Sequence, residues 1–208
     1  MAIAVLILGP SGSGKSASLR NFEPDEIGIF NVAGKPLPFR KALPMSSNAS
    51  YGMILKTLEK ANKKAYVIDD SQYLMANEFF DRARETGYQK YTDIGLHFRN
   101  LIQYISQMPN DIIVYFLHHT EEGPDGRLKA KTIGKMLDEK LTVEGMFSIV
   151  LLAEADADGY WFVTRSDGTS TVKSPMEMFD NFKIENDLKA VDARIREYYK
   201  MTEGEVNE

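Results

Sequence analysis

Residues 2–8 (Ala-Ile-Ala-Val-Leu-Ile-Leu) are apolar without interruption. A segment with no polar face fits a strand buried on both sides of a parallel sheet. Four further short apolar runs follow, at 27–32, 65–69, 112–117 and 147–153. The chain between them changes period. Met53, Ile54, Leu58 and Ala61 recur at helical spacing within 51–62, and Tyr91, Ile94, Phe98, Leu101, Ile102 and Ile105 share one face of 91–107. Helices are also expected over Gly14 to about Phe22, over 72–85 and over Asn186 to Lys200, where Leu188, Val191, Ile195 and Tyr198 fall together. Ser166-Asp167-Gly168 predicts the turn of a hairpin whose first strand starts at Tyr160 and reaches about Thr164. Residues 121–134 are polar and glycine-rich and read as a long loop.

Strands alternating with helices define an α/β fold, a mostly parallel sheet flanked by helices. The 208 residues fit one domain, with a hairpin and helix at 159–201 and an acidic tail at 202–208. A chain of this mass buries about 70% of its extended surface, ample for one core. Ligands in such sheets bind beyond the carboxyl ends of the strands. The residues just after Leu8, Ile68, Leu117 and Ala153 are therefore expected to line one site.

Composition narrows the chemistry. The sequence has no cysteine, which excludes disulfides and thiolate metal sites, and only three histidines, His97, His118 and His119. The net charge is −5, so a protein that coats nucleic acid through its global charge is disfavoured. Any DNA contact has to come from a local patch. The opening apolar run lacks a basic leader and is too short to span a membrane, so a cytoplasmic location is expected.

Residues 9–16 read Gly9-Pro10-Ser11-Gly12-Ser13-Gly14-Lys15-Ser16, followed by Ala17, and satisfy G-x-x-x-x-G-K-[ST] between a buried strand and a helix. Glycines let successive backbone N–H groups converge on one point, and a helix N-terminus adds partial positive charge. This is a cradle for a triphosphate. Lys15 is placed for the β and γ phosphates and Ser16 for Mg²⁺. The chain has no evident guanine-reading motif of the N/T-K-x-D type, which favours ATP over GTP.

Ile68 leads into Asp69-Asp70, two carboxylates at a strand end. Asp69 is expected to hold Mg²⁺ through a water, opposite Ser16, and Asp70 to orient or deprotonate an attacking water. The strand 112–117 ends in His118-His119-Thr120 and is expected beside the phosphate loop. One of the two histidines, His119 being the candidate for a catalytic role, would sense the γ-phosphate and relay its loss to the next loop. Strand parity does not decide between them. Arg127 to Lys135 carries four basic residues, Arg127, Lys129, Lys131 and Lys135, and no acidic one, as expected of an arm that touches phosphates, either of DNA or of a nucleotide on a neighbouring subunit. Arg165 and Lys173 flank the expected hairpin turn and are candidate fingers toward a neighbouring subunit's nucleotide.

With these segments in place, the chain resembles the phage-encoded RecA-like P-loop ATPases, more narrowly the ATP-dependent branch of the Sak single-strand annealing proteins. The narrower likeness rests on Gly34-Lys35-Pro36-Leu37-Pro38-Phe39, on Lys131 to Lys135 with Glu144-Gly145-Met146-Phe147, and on Asp167-Gly168 with Lys173-Ser174-Pro175-Met176. The resemblance implies a RecA-like core dependent on ATP and Mg²⁺, single-stranded DNA binding, strand annealing, head-to-tail homo-oligomers and a single-strand DNA-binding protein as partner. Lys15, Ser16 and Asp69 carry over directly. The family's catalytic glutamate after the second core strand does not: that region reads Ile29-Phe30-Asn31-Val32-Ala33. Asn31 can orient a water but cannot take its proton, so Asp70 substitutes or ATP acts mainly as an assembly switch. A P-loop kinase whose lid is the basic loop, and a nucleotide-gated interaction protein with little turnover, are the alternatives.

Overall fold

The computed structural model describes residues 2–109, 111–134, 137 and 141–201. Lys135 and the acidic tail 202–208 lie outside them.

Among the described residues, nine strands form one sheet. In chain order these are β1 (Ile3–Gly9), β2 (Ile27–Asn31), β3 (Met45–Ser47), β4 (Ala65–Asp69), β5 (Ile113–Glu122), β6 (Leu128–Ala130), β7 (Ile149–Ala155), β8 (Tyr160–Val163) and β9 (Lys183–Glu185). The spatial order is β3-β2-β4-β5-β1-β7-β8-β9, and off this path β6 pairs with the far end of β5. The pairings from β3 through β7 are parallel, whereas β7–β8, β8–β9 and β5–β6 are antiparallel. An α/β fold with a mostly parallel, helix-flanked sheet is thus what the apolar runs build.

Alternate residues of each central strand serve opposite faces. Leu6, Leu8, Ile68, Phe116 and Leu152 pack with helices α1 (Tyr51–Leu58), α2 (Gln72–Asp81) and α3 (Gln89–Gln107) through Ile54, Leu74, Phe98 and Leu101. Val5, Ile7, Val67, Leu117 and Leu151 face the opposite way, toward Leu19 and toward Leu188, Val191 and Ile195 of α4 (Leu188–Tyr198). Two of these helices carry side-chain caps: the Ser50 hydroxyl accepts from the Met53 N–H, and the Asp187 carboxylate accepts from the N–H groups of Lys189 and Ala190.

Three expectations are corrected. The segment after the phosphate loop is a 3₁₀ helix over Ser16–Asn21 rather than a longer helix. It is two turns long and serine-rich, the Ser18 hydroxyl bonds back to the Lys15 carbonyl at 2.6 Å, and Pro24 follows closely. The loop expected at 121–134 is in part a β-hairpin, because β5 continues through its polar end to Glu122 and pairs with β6. The hairpin expected around Ser166-Asp167-Gly168 does not form. Tyr160 instead opens the second strand of a β7–β8 hairpin, turned at Asp156 to Gly159. The chain beyond Gly168 crosses back, so that Ser170 bridges Leu128 and Lys173 bridges Val150.

Phe116 is fully buried, with ring centroids 5.9 Å from Phe98 and 5.3 Å from Phe147. Phe116→Ala is expected to cost about 3–5 kcal/mol in urea unfolding. A loss below about 1 kcal/mol would contradict this placement of the core.

Candidate functional site

β1 and β4 end at one edge, at Gly9 and Asp69, and β5 passes the same level at His118 and His119 before running on to Glu122. β5 lies between β1 and β4, which sets it beside residues 9–16 as expected, with Gly9 level with His119. Gly9 is dictated by space, and Gly14 by its backbone conformation. A Cβ on Gly9 would stand 2.9 Å from the Ala153 carbonyl oxygen, and one on Gly14 would stand 2.7 Å from the Tyr160 ring. Gly14 also has φ +91°, in the left-handed region that favours glycine.

Lys15 folds back over its own loop. Its ammonium donates to the carbonyls of Gly9 at 2.7 Å and Pro10 at 2.9 Å. Burial pushes its pKa down to about 8, against the opposing pull of Asp70 and Asp69. The Ser16 hydroxyl donates to Asp69 Oδ1 at 2.9 Å, joining the phosphate loop to the end of β4. Burial raises the Asp69 pKa, the Ser16 hydrogen bond opposes it and the adjacent Asp70 charge adds to it. A carboxylate destabilised by burial and by a neighbouring negative charge is one that a divalent cation would stabilise. Among the described residues no group of three or more His, Asp or Glu side chains comes together as a metal site. Ser16 and Asp69 offer two oxygen donors 2.9 Å apart, of the hard type that Mg²⁺ takes.

Asp70 ends β4 in the left-handed region, with φ +56°. Its carboxylate accepts from His119 Nε2 at 3.0 Å and from the Lys35 ammonium at 3.0 Å. Burial alone would raise the Asp70 pKa, but those two hydrogen bonds outweigh it and hold the group at about 2. Lys35 is a site residue that sequence patterning did not single out; only its place in Gly34–Phe39 marked it. Its pKa is raised by the Asp70 hydrogen bond first.

The two histidines divide. His119 faces Asp70. His118 is fully buried and bridges Ser71 Oγ (2.8 Å from Nδ1) and the Lys131 carbonyl (2.8 Å from Nε2). Burial pushes its pKa down to about 4, so it is neutral at pH 7. The Lys131 carbonyl can only accept, which places the single ring proton on Nε2 and makes Nδ1 the acceptor of the Ser71 hydroxyl proton. The Ser71 N–H bonds the Leu117 carbonyl at 2.9 Å. A continuous set of hydrogen bonds thus runs from the Asp69-Asp70-Ser71 turn to the base of the basic hairpin.

Other candidates fall elsewhere. The side chain of Asn31, expected to face a water, is buried and donates to the Lys35 carbonyl at 2.5 Å, so it positions the Lys35 loop instead. Glu154, expected at the site as the residue after Ala153, pairs with Lys183 at 3.0 Å on the β8–β9 side. The basic stretch is not free of acids once folded. Hairpin pairing sets Lys129 3.6 Å from Glu121, and Arg127 lies 3.6 Å from Asp125. Lys131 is exposed, and Lys135 lies outside the described residues. Arg165 and Lys173 are exposed, but they do not flank a hairpin. The Lys173 bridge is to Val150, three residues before the Ala153 level, so about 10 Å behind Gly9 along the strands.

No protein-family model matches the chain, and no curated protein matches it.

The folded pKa of His118 lies below the unfolded value of 6.5, so the unfolded chain takes up this proton first. The His118 contribution to stability is present above about pH 6.5 and is lost as pH falls toward 4. His118→Gln is expected to flatten that part of the stability–pH curve, measured by urea unfolding between pH 7 and 4. Parallel curves for the two proteins would contradict the buried, neutral imidazole.

Proposed function

We propose that the chain is a Mg²⁺-dependent P-loop ATPase with a RecA-like core that binds single-stranded DNA in recombination or strand annealing. The observation that carries this reading is the 2.9 Å contact between Ser16 and Asp69 beside the folded-back Lys15 ammonium. A hydroxyl that opens the 3₁₀ helix and a carboxylate that ends β4 meet where a triphosphate cradled by residues 9–16 would present its Mg²⁺. In this reading Lys15 moves from its loop carbonyls to the β and γ phosphates. Loop N–H groups from Gly12 to Ala17 bind the phosphate oxygens. Ser16 and Asp69 hold the metal, Asp69 through a water.

Turnover is slow in this account. A general base works best with a pKa near the working pH. Asp70 is held at about 2 by two cationic or N–H donors, so it orients water better than it deprotonates it. His119 fixes Asp70, and loss of the γ-phosphate is relayed through Ser71 and His118 to Lys131. Nucleotide state then sets the hairpin that carries Arg127, Lys129 and Lys131, with Lys135 as the fourth cation of the proposed DNA arm. Arg165 and Lys173, set back from the loop of their own chain, serve a neighbouring subunit's nucleotide in a homo-oligomer. A single-strand DNA-binding protein is the proposed partner, and the cytoplasm the proposed location. Among the described residues no helix is long and apolar enough to cross a membrane.

Lys15→Ala is expected to fold and to lose MgATP binding at least about 100-fold by calorimetry. Binding unchanged from wild type would overturn the reading. Replacing Arg127, Lys129 and Lys131 together by Ala is expected to weaken single-stranded DNA binding and to lower its log–log salt slope by about 2–3, with ATP affinity kept. An unchanged slope would remove the hairpin from the DNA site.

A further inference from the structure

Asn186 is a buried side chain with unmet polar atoms. It is 1% exposed, and neither its amide nitrogen nor its amide oxygen has a hydrogen-bond partner. Its main chain, by contrast, is fixed from several directions. The Asn186 N–H donates to the Tyr160 carbonyl at 3.2 Å, and Arg20 donates to the Asn186 carbonyl. The flanking residues are tied to the 3₁₀ segment, Glu185 by Arg20 and Asp187 by Asn21. A carboxamide held this firmly and left without a partner costs stability, and such groups call for an explanation.

Its position supplies one. The amide nitrogen lies 3.3 Å from where a Cβ of Gly14 would stand, and the Tyr160 ring lies against the same glycine. Asn186 thus abuts the phosphate loop on the side away from the acids. The strand order gives the direction. Asp69, Asp70 and His119 lie toward β4 and β5, on one side of β1, while Tyr160 and Asn186 lie toward β8 and β9, on the other. A triphosphate whose terminal phosphate meets Ser16 and Asp69 sends its nucleoside end the opposite way.

Resting on the phosphate-loop reading above, we propose that Asn186 and Tyr160 form the base site, and that the base is adenine. Tyr160 is 51% exposed. Its ring swings from Gly14 to admit the flat base and then stacks on it, as aromatic side chains do with nucleobases. The carboxamide offers one donor and one acceptor side by side. Adenine presents a ring-nitrogen acceptor next to its amino donor, so one asparagine meets both. Guanine puts a carbonyl oxygen where adenine has its amino group, and its own amino donor, on the other side of the ring, needs another acceptor. The nearby carboxylates are committed, Glu185 to Arg20 and Asp187 to Asn21 and the α4 cap.

The test is calorimetry on wild type, Asn186→Ala, Asn186→Asp, Tyr160→Phe and Tyr160→Ala, with ATP, GTP and inorganic tripolyphosphate, each with Mg²⁺. Thermal melts check that each variant folds. Wild type is expected to prefer ATP to GTP at least about 10-fold. Asn186→Ala should lose about 10-fold in ATP affinity and keep its tripolyphosphate affinity. Asn186→Asp, which only accepts, should shift the ATP:GTP ratio toward GTP by about 10-fold. Tyr160→Phe should bind ATP like wild type, and Tyr160→Ala should not. Equal losses of ATP and tripolyphosphate in the Asn186 variants, or an unchanged ATP:GTP ratio, would overturn the base site while leaving the phosphate loop in place. Wild type that binds none of the three would instead remove the phosphate-loop reading itself.

Discussion

The Ser16 hydroxyl reaches Asp69 at 2.9 Å although 53 residues separate them in sequence, because both stand at the carboxyl edge of one parallel sheet. That contact depends on β5 filling the gap between β1 and β4 in register. Ile3 to Gly9 match Ile113 to His119 residue for residue, and Ala65 to Ile68 match Ile113 to Phe116. A slip of one residue in either pairing would turn the apolar side chains of a strand buried on both faces to the wrong neighbours. The packed faces therefore fix the register, and the register fixes the site.

The site concentrates charge in little water. Burial draws Lys15 down and Asp69 up from their ordinary pKa, while the His119 and Lys35 hydrogen bonds draw Asp70 down. Each carries a local partner that a ligand would displace or join: loop carbonyls for Lys15, Ser16 for Asp69, Lys35 and His119 for Asp70. Such an arrangement suits a switch better than a fast hydrolase. Its strongest acid is too well satisfied to take a proton, while its neutral, buried histidine ties the acidic turn to the basic hairpin.

The five main strands were legible because unbroken apolar runs are local signals. The shortest strands and the antiparallel pairings were not. β3, β6 and β9 are three residues each, too short to show a period, and β5 runs on through His118 to Glu122 without alternation. Ser166-Asp167-Gly168 carries the composition of a hairpin turn, yet pairing beyond it goes to Leu128 and Val150, which no local pattern encodes. Asp69, Asp70 and the pair His118-His119 stood out by position after apolar runs, but which histidine faces Asp70 was not legible. Lys35 did not stand out, since it meets Asp70 from a segment distant in sequence. The hairpin acids Glu121 and Asp125 likewise came to face Lys129 and Arg127 only on folding.

The account turns on the Lys15 ammonium leaving its loop carbonyls for a triphosphate. At pH 8.5 the free protein, with Lys15 depressed to about 8, holds this group largely neutral, whereas the phosphate-bound group must be charged. Titration of MgATP in buffers of low and high ionisation enthalpy should show uptake of roughly half a proton or more, and Lys15→Arg, always charged, should bind without it. Absence of binding heat in the wild type, or proton uptake identical in Lys15→Arg, would contradict the account.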